Sequence, residues 1–333
     1  MDKPVIAVLN NNPRVMIDEE FDAYNEKFKF RRPKNNETVT TKKALELIND
    51  SEGCITCWRS PQLSSELLDA APELKIIAHA AGTLRPYVSD AVWGRGIKLV
   101  NAAGCIAEEV AQYVAALVVV GQRNLMEMVP QTAAGKWRDL DLYRSPRDVR
   151  GIKVGIIGAG EVGRRVLAML KNFQVDLLLY DPFVAEKTVK ELGAEKVELE
   201  ELFTKSDVVT VHAPSNEHTK HLVNSKRLSL MRDGAVFINT SRGPLVDQEA
   251  LVLELQRKRI WAFLDVTDPE PPLPDSILFG CPNLTLSTHV AGSIEGSGRF
   301  QLRWVLKEIE RLFTGKPLLH EQSREMIEMS STR

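Results

Sequence analysis

Short apolar runs alternate with polar, helix-patterned stretches along nearly the whole chain. In the first hundred residues the runs predict strands at Val5–Leu9, Gly53–Trp58, Leu74–His79 and Ile97–Val100. KKALELIND follows Thr40-Thr41 and SELLDAA follows Ser64, so each helical pattern opens on a hydroxyl able to cap free N–H groups. From 151 to 290 the alternation resumes, with strands expected at 154–157, 175–180, 207–211, 235–239, 261–265 and 284–287. Strand–helix alternation is the signature of parallel sheets with helices on both faces. The expected class is therefore α/β: two parallel-sheet domains of Rossmann or flavodoxin type with a cleft between them. Cys105 to Arg123 reads as one helix whose middle, VAQYVAALVVV, is apolar nearly all round. Such a helix is expected to be buried on every side, at a domain junction or subunit interface. Residues 124–150 read as an extended arm. A last helix is expected near Gly296–Phe313, with Leu302, Val305, Leu306, Ile309, Leu312 and Phe313 on its core face. The polar tail EQSREMIEMSSTR is expected to be loosely held.

One strand–helix junction carries most of the chemistry. In IKVGIIGAGEVGRRVLAMLKNFQVDLLLYD, an apolar strand runs into Gly158-Ala-Gly160-Glu161-Val162-Gly163, and a helix opens at once. Gly158 permits a tight turn, Gly160 lets a pyrophosphate approach the backbone, and Gly163 lets helix and strand pack closely. The helix N-terminus offers free N–H groups and a partial positive charge to phosphates. Asp181 ends the next strand 21 residues after Gly160 (181 − 160), within reach of a ribose 2′-OH. It would repel a 2′-phosphate, so NAD is expected rather than NADP. A glycine pattern alone is weak; both flanking strands and the acid make it a dinucleotide-binding unit.

Bulk composition narrows the partners. The chain has 333 residues and a net charge of −2, so no basic surface calls for nucleic acid or anionic lipid. The longest apolar run, Tyr113–Val120, falls far short of the ~20 residues of a bilayer span. MDKPVIAVLN lacks a signal-peptide layout, and the expected location is cytoplasmic. Cys54 and Cys57 form a CxxC, but on a strand they point to opposite faces, which favours buried free thiols over a redox pair. The six histidines show no metal-ligand spacing, and no metal is expected.

Three strand ends supply candidate chemistry. After 235–239 comes Asn239-Thr240-Ser241-Arg242, whose guanidinium fork suits a carboxylate. After 261–265 come Asp265 and Glu270, and after 284–287 comes His289, opening a Gly/Ser turn at Gly292. Histidine suits proton transfer near neutrality, and a carboxylate beside it fixes its orientation.

The stretches GIKVGIIGAGEVGRRV, DVVTVHAPSNEHTKHLVN, AVFINTSRGPLVDQEAL, AFLDVTDPEP and STHVAGS, in that order, resemble the D-isomer-specific 2-hydroxyacid dehydrogenase family. The resemblance covers about residues 53–318 and implies roles at matching positions. Arg242 resembles the residue that binds the substrate's carboxylate and keto oxygen. His289 resembles the general acid/base, and Glu270 the carboxylate paired with it. Asp265 resembles the residue near the nicotinamide amide. Glu161 and Val162 fall at the pyrophosphate turn, Ala213 and Pro214 on the adenine side, and Thr240 and Ser241 along the cofactor. Ala81-Gly82-Thr83 matches a loop whose backbone N–H groups hold the substrate carboxylate. The resemblance further implies residues 1–103 and 294–333 as the substrate-binding domain, 104–293 as the NAD-binding domain, and a homodimer through the latter. The chemistry so implied is NAD-dependent reduction of a small 2-keto acid to a D-2-hydroxy acid, and the reverse. The chain departs from the family pattern at Leu84-Arg85-Pro86-Tyr87 and at Gln112, in regions that shape the choice of substrate. Arg85 is either a contact for a second anionic group on the substrate or a solvated surface cation. A second reading is an NAD(H)-sensing binding protein, as in the family's corepressor branch.

Overall fold

Every strand predicted from an apolar run is present, and all pair in parallel. The computed structural model describes residues 2–34, 37–137, 142, 144–292 and 294–330. Of the arm expected at 124–150, positions 138–141 and 143 lie outside the described residues, as do the last three of the tail. The chain divides into two units, Met1–Ile106 with Ser293–Arg333, and Ala107–Gly292.

In the first unit, β1 (Val5–Val8), α1 (Asp18–Asp22), β2 (Lys29–Arg31), α2 (Thr41–Ile48), β3 (Gly53–Thr56), α3 (Ser65–Asp69), β4 (Ile76–His79) and β5 (Lys98–Asn101) build a five-stranded sheet. Its order is β2-β1-β3-β4-β5. The hydroxyls of Thr40 and Ser64 cap α2 and α3, accepting from Lys43 N at 3.3 Å and Leu67 N at 3.5 Å. Side chains alternate strictly between two cores. Ile6, Val8, Ile55 and Cys57 pack on one face, Ala7, Leu9 and Cys54 on the other. The two thiols therefore point apart; both are free, and burial pushes each up to about 12.

The helix α4 (Ala103–Gln122) crosses from one unit's residues into the other's. By length and composition it could cross a membrane; 44% of its apolar stretch is buried within the chain. Its inner side packs on the second sheet, where a Cβ on Gly121 would lie 3.1 Å from Phe263 and 3.2 Å from Val236. The expectation of burial on every side is corrected, because Glu108, Gln112 and Ala116 form an exposed stripe at helical spacing. The arm is also corrected: it begins with a helix, α5 (Leu125–Ala133). Leu, Met and Glu favour helix there, and Asn124, in the left-handed conformation with φ 55°, breaks it from α4.

The second unit continues with β6 (Lys153–Ile157), α6 (Glu161–Leu170), β7 (Asp176–Tyr180), α7 (Glu186–Glu191), β8 (Glu195–Lys196), α8 (Leu199–Lys205) and β9 (Val208–Val211). It closes with α9 (Ser225–Leu230), β10 (Val236–Asn239), α10 (Gln248–Gln256), β11 (Trp261–Leu264) and β12 (Leu284–Leu286). The seven strands run β12-β11-β10-β9-β6-β7-β8. Strand order reverses between β6 and β9, which opens a crevice at the carboxyl ends of those strands. The remaining helices, α11 (Gly298–Phe313) and α12 (Arg324–Met329), belong to the first unit. Leu302, Val305, Leu306 and Ile309 of α11 cover one face of its sheet. The tail is not loose through its described part. Ser323 caps α12, Ile327 is 4% exposed within the core, and Gln322 N–H donates to Leu99 O at 2.7 Å.

Candidate active site

The turn after β6 works through its backbone. Gly158 has φ +97°, and a Cβ there would lie 2.8 Å from the carbonyl oxygen of His212. A Cβ on Gly163 would lie 2.0 Å from Gly158 O, so only glycine lets α6 start so close to β6. Gly160, the N-cap of α6, meets nothing within 4 Å of a Cβ, so the space beside its Cα is open. At the end of β7 the Asp181 carboxylate accepts the Ala159 N–H at 2.8 Å and the Phe183 N–H at 2.9 Å. Each oxygen keeps a lone pair for a further donor. Val162 is half-buried on α6, while the Glu161 side chain pairs with Arg165 at 2.6 Å on the outside. His212 is a shaping residue. It is buried, its Nε2 lies 3.0 Å from Thr210 Oγ1, and burial drives its pKa down to about 3. Ala213 and Pro214 follow it at the mouth of the crevice, half-buried and exposed.

Three adjacent strand ends carry the polar side chains. After β10, the Asn239 side chain folds the loop: its Nδ2 donates to Arg242 O at 2.9 Å and its Oδ1 accepts Ser241 N–H at 3.0 Å. Ser241 Oγ donates to Val211 O at 2.7 Å, tying this loop to β9. Thr240 is 7% exposed, and its hydroxyl has no partner among the described residues. Arg242 is half-buried, with Nη1 donating to Ser241 O at 2.6 Å. Burial lowers the pKa of its guanidinium from the ordinary value, and the charge of Glu270 opposes that shift. The guanidinium and the Glu270 carboxylate thus lie within electrostatic reach of each other. Across the loops, His289 Nδ1 lies 2.5 Å from Glu270 Oε1. The side chains are 46% and 38% exposed, so a small molecule can reach the pair.

Behind this pair lies Asp265, 3% exposed at the end of β11. Its carboxylate accepts the Ser287 hydroxyl at 2.6 Å, the Val290 N–H at 2.8 Å and the Ala291 N–H at 2.9 Å. Its carbonyl accepts the His289 N–H at 2.9 Å. Gly292 is half-buried just beyond. The sequence reading missed Ser287 and Tyr113, whose OH donates to Ser287 Oγ at 2.9 Å. The available signal was a phenol within the apolar middle of the helix, VAQYVAALVVV, since a half-buried tyrosine hydroxyl seeks a partner. Among the described residues no group of three or more His, Cys, Asp or Glu is placed to hold a metal ion.

In the first unit, Ala81-Gly82-Thr83 follows β4. Ala81 is buried, and Asn101 Nδ2 donates to Gly82 O at 3.0 Å. Thr83 Oγ1 lies 3.3 Å from Ser330 Oγ, and Arg85 Nη1 donates to Ser330 O at 3.1 Å. Arg85 is half-buried and tied to the C-terminal segment by this bond.

A parallel sheet with a glycine turn at its switch point and an Arg–Glu–His group on neighbouring strand ends defines a dinucleotide-dependent oxidoreductase. The family model described as D-isomer specific 2-hydroxyacid dehydrogenase, NAD binding domain, matches residues 114–291. A glyoxylate reductase of Korarchaeum cryptofilum is 33% identical over 290 residues, spanning 84% of this chain and 87% of that one. A hydroxypyruvate reductase of Thermotoga maritima is 30% identical over 256 residues, 76% and 81% of the two chains. A D-3-phosphoglycerate dehydrogenase of Archaeoglobus fulgidus is 30% identical over 270 residues, a match spanning 51% of its length. The apo structure of Rhodotorula graminis D-mandelate dehydrogenase superposes with a TM-score of 0.81 at 26% identity, over 97% of this chain and 98% of that one. The chain belongs to the D-isomer-specific 2-hydroxyacid dehydrogenase family and carries its NAD-binding domain.

Proposed function

We propose that this chain reduces a small 2-keto acid to its D-2-hydroxy acid with NADH, and runs the reverse oxidation. The observation that carries the reading is the contact of His289 with Glu270, on the sheet whose other strand ends bear Arg242 and the glycine turn. The residues present fit NAD. Gly160 leaves open space beside its Cα for a pyrophosphate, Asp181 keeps lone pairs for ribose hydroxyls, and Thr240 holds a buried hydroxyl without a partner among the described residues. Gly158, Gly163, Glu161 and Val162 shape the phosphate turn. Ala213, Pro214, Ser241, Asp265 and Gly292 complete the proposed lining.

When bound, NADH supplies a hydride to the carbonyl carbon of the substrate. Glu270 occupies Nδ1 of His289, so the ring offers Nε2 to the substrate. His289 gives the Nε2 proton to the carbonyl oxygen as that oxygen gains charge, and takes it back in the oxidation. Arg242 holds the carboxylate and polarises the carbonyl, with a charge that burial strengthens locally. Ala81, Gly82 and Thr83 contribute backbone N–H groups to the carboxylate. Arg85, held by Ser330, is assigned to a second anionic group on the substrate.

The experiment is NADH oxidation with glyoxylate, hydroxypyruvate and pyruvate at steady state. Turnover with at least one supports the reading. Tight NADH binding without turnover on any keto acid supports the sensor instead. The same reading makes the working form a homodimer through the NAD-binding unit. Leu125, Met126, Val129 and Trp137 expose 38 to 81% of their surface there. Light scattering should then give twice the chain mass of 37.3 kDa.

A further inference from the structure

The loop bearing His289 is wrapped around one carboxylate. Asp265 takes hydrogen bonds from Ser287, Val290 and Ala291, so every residue that flanks the His289 peptide is anchored to it except Thr288. His289 itself sits at φ +58°, in the left-handed region that a histidine adopts at some cost. The flanking bonds hold it there, and that conformation delivers Nδ1 to Glu270.

The direction of the chain of hydroxyls follows from valence. A carboxylate oxygen that already accepts the Val290 N–H accepts from Ser287 as well, so the Ser287 proton points to Asp265. A serine hydroxyl has only one proton. Ser287 must therefore accept from Tyr113, whose O–H donates at 2.9 Å from the middle of α4. Without that donor the Ser287 hydroxyl has a free lone pair and a second choice of rotamer. With it, the hydroxyl is locked onto Asp265.

We propose that Tyr113 is a positioning residue for the acid/base loop: through Ser287 and Asp265 it fixes the backbone that sets His289 against Glu270. The inference rests on the reading of His289 as the acid/base. It gives a role to the half-buried hydroxyl of a tyrosine 174 residues away in sequence from the serine it serves.

The test uses the full-length protein with NADH and whichever keto acid it reduces. Tyr113→Phe keeps the ring and its packing and removes only the hydroxyl. It should lower kcat roughly tenfold, the scale expected for slight misplacement of a reacting group, while the Kd for NADH stays at the wild-type value. Ser287→Ala should match it, Ser287→Thr should restore most of kcat, and the double variant Tyr113→Phe/Ser287→Ala should be no slower than Ser287→Ala alone. If Tyr113→Phe keeps wild-type kcat while melting lower, the residue is merely structural and the proposal is overturned. Multiplying losses in the double variant overturn it too. His289→Ala serves as the separate control: a dead His289→Ala beside a normal Tyr113→Phe sinks only the relay. A fully active His289→Ala sinks the acid/base assignment beneath it.

Discussion

At the end of β6 the chain is shaped by side chains that are missing; at the end of β12 it is held by side chains that meet. Gly158, Gly160 and Gly163 let backbone approach backbone, and two of them leave no room for even one methyl group. The loop after β12 instead depends on Tyr113, Ser287, Asp265 and Glu270, drawn from three separate segments. On the proposed reading the first region binds coenzyme by presenting peptide N–H groups, which nearly every residue carries. The second must hold one imidazole in one orientation, which takes specific partners. On that reading binding of coenzyme and transfer of a proton rest on different physical devices, and substitution should separate them.

The largest effect is expected at the imidazole. His289→Ala should lower kcat by ~10²–10⁴-fold, the usual worth of a general acid–base group. Titration of NADH should give an unchanged Kd, because the glycine turn is untouched. A loss below tenfold would reject His289 as the acid. The next effect lies in the glycine turn, and it falls on folding. Gly163→Ala puts a methyl group 2.0 Å from a backbone oxygen and should cost about 3 kcal/mol, read as a lower thermal midpoint. Gly160→Ala meets nothing within 4 Å and should melt like the parent while binding NADH more weakly. Equal melting of the two variants would contradict the division of labour between these glycines. Asp181→Ala should then reduce the preference for NAD over NADP by at least about tenfold, the worth of a hydrogen bond to a charged group. An unchanged ratio in paired kinetics would remove Asp181 from the ribose site.

The smallest effect is a pH dependence of stability. His79 and His212 are buried, and each has its pKa pushed down to about 3. Between there and the ordinary value of 6.5 the unfolded chain binds protons that the folded rings refuse. Stability from these groups is full above 6.5 and falls as the pH drops, by up to ~1.4 kcal/mol per pH unit for each ring. Denaturant titrations from pH 7 to 5 on His212→Gln should show a shallower slope than the parent. An equal slope would mean that His212 is not held neutral.

How much could be read beforehand follows the same division. The glycine turn was legible because its function lies in backbone geometry, which glycine spacing states directly. Arg242, Glu270 and His289 were legible as reactive types at strand ends, and the family resemblance assigned their roles. The Tyr113–Ser287 contact was not, because it joins residues far apart and Tyr113 sits inside a helix that reads as plain core. β2 and β8 escaped notice because KFR and EK are edge strands of three and two residues with no apolar run. The tail read as loose because its order depends on Ile327 reaching a core formed by distant residues. Patterns local in sequence were visible, and contacts made by the fold were not.

The central claim is that a proton held on His289 moves together with a hydride to a keto acid. Its most direct measurement is the rate of NADH oxidation across a panel of 2-keto acids, for the parent and for His289→Ala side by side. The account predicts turnover by the parent with at least one of them, and its near-complete loss in the variant at unchanged NADH affinity. Equal rates in both proteins would contradict it.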